Sequence, residues 1–211
     1  MHAQRQAAVL ADRNASLERR LAAAEAKEAQ ALRLAHHDAL TGLPNRSLLF
    51  DRLEQAMRKA QRRSQSVALL LIDLDGFKRI NDELGHPAGD ELLRIAAGRL
   101  TSSIRAADTA CRYGGDEFVV MLPDVEQHPD HVANVAAKIR AKLANPCSIE
   151  GYRIQMTASL GAAMYPGDGS TYEQLLRQAD RAMYREKTEA HSEPSITPTD
   201  IGTHRPNGLF G

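Results

Sequence analysis

Val67-Ala68-Leu69-Leu70-Leu71-Ile72 is a continuous apolar run, and it stops abruptly at Asp73-Leu74-Asp75-Gly76. An uninterrupted apolar segment of this length reads as a strand buried on both faces, central in its sheet. The chain downstream supplies its neighbours. Thr109–Tyr113 and Glu117–Leu122 flank Gly114-Gly115-Asp116, two short strand-like segments around a Gly-Gly turn, which predicts a β-hairpin. Further strand-like stretches lie at 152–156 and 157–164. Between them the periodicity is helical. A helix from about residue 46 turns Leu49, Leu53, Ala56, Met57 and Ala60 inward, and a second, beginning near Gly89-Asp90, does the same with Leu92, Leu93, Ala96, Ala97 and Leu100. A third covers 130–144, and a last begins at Ser170 or Thr171, where Ser170 with Glu173 or Thr171 with Gln174 makes a capping box. Its buried stripe is Leu175, Leu176, Ala179, Ala182 and Met183. This alternation predicts an α/β (α+β) sandwich: a mixed, mostly antiparallel, five-stranded central sheet flanked by helices.

Outside this region the texture changes. Residues 1–36 contain no Gly or Pro and are rich in Ala, Glu, Arg and Leu, a helix-forming composition. Leu10, Asn14, Leu17, Leu21, Ala24, Glu28, Ala31 and Ala35 trace an approximate heptad seam, interrupted by Glu28. The segment is either a short parallel coiled coil registered by Asn14 or one solvated helix. Asp38 to Arg46 is a turn-rich junction, and the domain is expected to occupy 37–188. Residues 189–211 are rich in Pro, Ser, Thr and Gly without periodicity and read as a disordered tail or linker.

The balance of 27 Lys and Arg against 27 Asp and Glu argues against a dedicated nucleic-acid binder. No stretch approaches the roughly 20 apolar residues that span a bilayer, and Arg5, Asp12 and Arg13 interrupt the place of a signal peptide. Cys111 and Cys147, both in apolar segments, read as reduced core thiols, so the expected location is cytoplasmic.

Asp73 is a carboxylate delivered to the end of a buried strand, and Asp116 and Glu117 stand at the hairpin turn. If the hairpin pairs beside the Asp73 strand, these acids converge, and like charges so close raise one another's pKa. A hard divalent cation, Mg²⁺ or Mn²⁺, relieves that repulsion. Each acid alone is equally a turn or cap residue. Gly76-Phe77-Lys78 comes directly after: a glycine lets backbone amides approach a phosphate, and Lys78 adds positive charge. Asn81 is placed to read a purine edge. Asp90 serves either as a helix-start acid or as acceptor for the N1 and N2 protons of guanine. Arg58, Lys59, Arg62 and Arg63 read as a solvated helix face, and His128 and His131 as an ordinary helix entrance.

Gly114-Gly115-Asp116-Glu117-Phe118 resembles the signature of the GGDEF family of diguanylate cyclases, and the likeness extends well beyond these five residues. Asp38–Arg46 is similar to its opening D-x-L-T-G-L-x-N-R motif, and Ile72–Asp82 to its metal and phosphate segment. Gly85-His86, Gly89-Asp90 and Ala179–Tyr184 match in the same order, over about residues 37–188. The fold implied is that of nucleotidyl cyclase and polymerase palm domains.

The resemblance implies that Asp73, the Leu74 carbonyl, Asp116 and Glu117 hold metal, with Glu117 assisting deprotonation. Asn81 and Asp90 read guanine, Leu40 and Leu93 wall the pocket, Lys78 and Lys187 neutralise a triphosphate, and Gly114 and Gly115 lie against the nucleotide. The implied reaction joins two GTP into cyclic di-GMP between two copies of the domain, a homodimer set by an upstream sensor. Arg105 and Asp108, with Lys138 near, correspond to the family's R-x-x-D product-inhibition site. One departure is Lys187-Thr188-Glu189-Ala190-His191-Ser192, where the family commonly reads K-x-x-G-R-N, so His191 replaces a phosphate-binding arginine. The competing expectation is a catalytically silent module that binds GTP or cyclic di-GMP.

Overall fold

The structure, a computed structural model, describes residues 2–125, 129–189 and 194–199, with α1 side chains from Arg13 onward. Its centre is β1 (Ser66–Leu74), buried along its whole length. On one side β1 pairs with β3 (Glu117–Val125), which pairs in turn with β2 (Thr109–Gly114); on the other it pairs with β6 (Ala158–Tyr165). The sheet order is β2-β3-β1-β6.

The apolar run is continuous because both faces are covered. Ala68, Leu70, Ile72 and Leu74 join Phe118, Val120 and Leu122 against α3 (Phe77–Leu84), α4 (His86–Thr101) and α5 (Pro129–Leu143). Val67, Leu69 and Leu71 join Val119 and Met121 against α2 (Arg46–Arg63) and α6 (Tyr172–Glu189). Fully buried side chains such as Leu53, Leu69, Leu92 and Ile139 each contribute about 1.5–3 kcal/mol by leaving water. The strand period of two carries Asp73 and Glu117 on in the odd-numbered series, towards α6.

Local signals set the helix ends. Asn45 caps α2 by accepting the Leu48 amide at 3.1 Å. Thr171 Oγ1 accepts the Gln174 amide at 3.3 Å, one half of the second expected box, while Gln174 Oε1 reaches back to the Ser170 amide at 2.7 Å rather than to that of Thr171. Gly161 lets β6 touch α6, since a methyl group there would fall 2.0 Å from the Ala179 carbonyl oxygen.

Three expectations are corrected. Among the described residues the central sheet has four strands and every pairing in it is antiparallel, where five strands, mixed but mostly antiparallel, were expected. The supposed fifth strand, β5 (Tyr152–Gln155), overruns the end of β1, because β6 opens with Ala158 already opposite Leu74. It pairs instead with β4 (Cys147–Ile149) and with β7 (Ser195–Pro198), so part of the expected disordered tail is an ordered strand. Finally, the helix expected near Gly89-Asp90 starts at His86, and a separate α3 precedes it across Gly85 at φ +85°. Pro87 in the first turn of α4 is tolerated because no helical bond needs its missing N–H. Asp90 therefore lies inside α4, away from the cap position.

Helix α1 (His2–His36) meets the domain where Asn45 Nδ2 donates to the Ala35 carbonyl at 2.8 Å. Its Leu17 and Leu21 are 52% and 61% exposed, an apolar seam that nothing among the described residues covers.

Candidate active site

The ladder places Asp73 of β1 directly opposite Glu117 of β3, with Asp116 just before it in the hairpin turn. Asp73 is 9% exposed, and Lys187 in the last turn of α6 donates from Nζ to its Oδ1 at 2.7 Å. Burial, then the negative charge of Asp73, Asp116 and Asp180, pushes the Glu117 carboxyl above its ordinary value, against the pull of Lys187. Burial, then Asp73, does the same to Asp116, although its own backbone amide, Lys187 and Arg112 oppose it. Burial acts to lower the Lys187 ammonium, but the Asp73 hydrogen bond and the charges of Asp73, Asp75 and Asp116 outweigh it and raise its pKa. Half-buried oxygen donors that repel one another in this way suit a hard divalent cation. Among the described residues no three acid, His or Cys side chains already stand together as a cage.

Gly76 caps α3 with φ +67°, and Phe77 and Lys78 form its first turn, where the backbone N–H groups have no partner within the helix. Asn81 stands one turn further on. A methyl group on Gly89 would fall 1.9 Å from Asn81 Oδ1 and 3.1 Å from the Phe77 ring, so the bare Gly89 backbone makes room for the Asn81 amide and sets it beside the exposed Asp90. Gly114 and Gly115 border open space, Gly115 with φ +52°. Leu93, 2% exposed, packs in the core, and Leu40 is half-buried at the core's edge.

Several supporting residues escaped the sequence. Asp75, 8% exposed, accepts from Thr157 Oγ1 at 2.7 Å and Ser159 Oγ at 2.6 Å, and its amide donates to the Thr157 carbonyl at 3.0 Å. These bonds tie the loop carrying Gly76 to the start of β6. Two hydroxyl residues opening an otherwise apolar strand were the available signal. Arg112 spans a second gap: Nε and Nη2 donate to the Gly115 carbonyl at 3.0 and 2.9 Å, and Nη1 donates to Asp38 at 3.2 Å. Burial tends to raise the Asp38 carboxyl, but Thr41 and Arg112 outweigh it and hold it below its ordinary value. The Gly-Gly turn is thus braced on the junction that succeeds α1.

Arg105 and Asp108 lie apart from the acids. Asp108 accepts the Arg105 amide at 2.8 Å and returns its own to the Arg105 carbonyl at 3.0 Å, a closed turn in place of a surface ion pair. A cavity of about 680 Å³ opens between this turn and α2, lined by Asp108 with Arg52, Arg58, Lys59 and Arg62. The basic face of α2 is solvent-facing as expected, and Arg58, Lys59 and Arg62 border this turn. Lys138 stands exposed on α5 and does not line this cavity. His128 and His191 lie outside the described residues.

Fold and site together define an antiparallel α/β domain with an acid pair on adjacent strands beside an amide-rich helix start. Residues 35–193 match the family described as "Diguanylate cyclase, GGDEF domain". The chain belongs to that family. It is 45% identical over 161 residues, 76% of its length, to the bifunctional diguanylate cyclase/cyclic di-GMP phosphodiesterase MucR of Pseudomonas aeruginosa, and 41% identical over 157 residues, 74% of its length, to diguanylate cyclase TpbB of the same organism. It spans 23% and 36% of those two relatives. The crystal structure of the coiled coil and GGDEF domain of DgcB from Caulobacter crescentus, in complex with c-di-GMP, is similar with a TM-score of 0.73 at 30% identity, covering 87% of this chain and 94% of that one. No helix among the described residues is long and apolar enough to cross a membrane.

Proposed function

We propose that the domain is a diguanylate cyclase, condensing two GTP into cyclic di-GMP and two pyrophosphates between two copies of itself. The observation that carries this is Asp73 opposite Glu117 on neighbouring strands, with Lys187 against Asp73. The amides of Phe77 and Lys78 and the two lysines receive the triphosphate, while Asn81 and Asp90 accept guanine. Asp73, the Leu74 carbonyl, Asp116 and Glu117 would hold Mg²⁺ or Mn²⁺, which when bound would supply positive charge at the α-phosphate and make the attacking hydroxyl more acidic. Glu117 takes the proton as the 3′-oxygen bonds to the α-phosphorus of the other GTP and the bond to pyrophosphate breaks. Each copy orients one substrate, so positioning is the protein's main contribution. The uncovered Leu17 and Leu21 of α1, together with a similarity to DgcB that reaches into its coiled coil, support a homodimer joined through the stalk. An upstream sensor acting through that stalk and a cytoplasmic site of action complete the reading.

Purified protein incubated with GTP and Mg²⁺ is expected to form cyclic di-GMP with a rate per subunit that falls on dilution. GTP binding without any product at high protein concentration would favour the silent module, to which the missing arginine at His191 lends support.

Product inhibition is proposed at Arg105 and Asp108, which line one cavity together with Arg52 of α2. An arginine fork matches guanine or phosphate oxygens bidentately. Arg105→Ala is expected to weaken inhibition by added cyclic di-GMP about tenfold or more, with the initial rate kept. An unchanged inhibition curve would remove the site.

A further inference from the structure

Gly76 lies against Pro194, the residue before β7. A methyl group built on it would fall 2.2 Å from Pro194 Cδ and 2.7 Å from Pro194 Cγ. Pro194 is buried, whereas Gly76 stays exposed on its remaining side, so the ring forms a wall and leaves the loop open to solvent. Register explains the meeting. β7 runs antiparallel to β5 with Ser195 opposite Gln155. Two residues beyond Gln155, Thr157 bonds Asp75 through both its hydroxyl and its carbonyl. The residue before Ser195 is thereby set beside the residue after Asp75. Pro194 also falls one residue beyond the segment that matches the family.

We propose that Pro194 is a positioning residue for the triphosphate loop: its ring, delivered by β7, braces Gly76 on the side where a side chain would sit and fixes the directions of the Phe77 and Lys78 amides. A glycine at positive φ has many other conformations within reach, and an unbraced loop loses that freedom only when the ligand binds. A proline suits the task because its ring is rigid and it has no N–H of its own to compete for phosphate oxygens. Asp75 holds the loop from the β6 side and Pro194 from the β7 side, leaving the amide face for the ligand. The proposal rests on the reading of Gly76-Phe77-Lys78 as the triphosphate cradle.

The test is a double-mutant cycle on the full chain, read both as KM and kcat for GTP and as Tm without nucleotide. Pro194→Ala removes Cγ and Cδ but leaves β7, and is expected to raise KM about threefold to tenfold with kcat within about twofold. Gly76→Ala collides with the ring and should bind GTP more weakly still. Adding Pro194→Ala to it removes the colliding atoms, so the double variant should recover part of the lost Tm and affinity. An unchanged or lowered KM in Pro194→Ala, or a double variant no better than Gly76→Ala, overturns the proposal. If the unaltered protein binds no GTP, the functional reading fails as well. Binding by the unaltered protein with no effect of Pro194→Ala sinks only the brace.

Discussion

Glu117→Gln is expected to lower cyclic di-GMP synthesis by roughly 10²–10⁴-fold, or beyond detection, while the metal-free domain becomes more stable. Both effects have one cause. Glu117 is half-buried and faces Asp73 across the ladder, with Asp116 and Asp180 adding to the negative field. Burial, and then those charges, favours its neutral form, so its folded pKa lies above the unfolded value. The sign comes from linkage. An acid with a raised folded pKa contributes stability while protonated and loses it as pH rises through that value. At neutral pH the ionised Glu117 therefore opposes folding, and the neutral amide does not. The Tm of Glu117→Gln should exceed that of the unaltered protein near pH 7, with the gap closing as pH falls. Added Mg²⁺ or Mn²⁺ should narrow the gap from the other side by raising the Tm of the unaltered protein more. A variant that keeps turning GTP over, or that melts below the unaltered protein at every pH, contradicts the assignment.

Asp75→Ala should cost about 2–4 kcal/mol of stability and most of the affinity for GTP. Its carboxylate is buried and accepts two hydroxyl bonds, so truncation strands the buried Ser159 hydroxyl and removes the partner of the half-buried Thr157 hydroxyl. A loss of that size lowers Tm by roughly 5–15 °C in a domain of this length. The loop with Gly76 and Lys78 then loses its anchor to β6, and KM should rise more than kcat falls. Asp75→Asn, which retains one acceptor oxygen, should restore part of both. Equal KM in all three proteins would show that the anchor does not serve the site.

Arg112 and Asp75 illustrate where sequence reading stopped. Both are ionisable residues within or beside the motifs, yet neither drew a role, because their partners are remote in the chain: Asp38 for Arg112, and Thr157 and Ser159 for Asp75. The basic residues of α2 are solvent-facing as read, but that three of them border the turn at Asp108 depends on a segment more than forty positions later. Leu93, assigned to a pocket wall by resemblance, also belongs to the apolar stripe that α4 turns to the core.

The amino-acid order alone determined what local chemistry can specify. It set the apolar run that must be a central strand, the hairpin around Gly114-Gly115, the amphipathic helices with their caps, and the acids at the strand ends. These depend on period, propensity and turn geometry, which act between near neighbours. Only the tertiary structure decided that the sheet has four strands rather than five, that the tail returns as β7, and that Lys187, Asp75 and Pro194 close around the strand end. Those outcomes depend on register and on where β1 ends, and register is settled by which faces become buried once every element is in place.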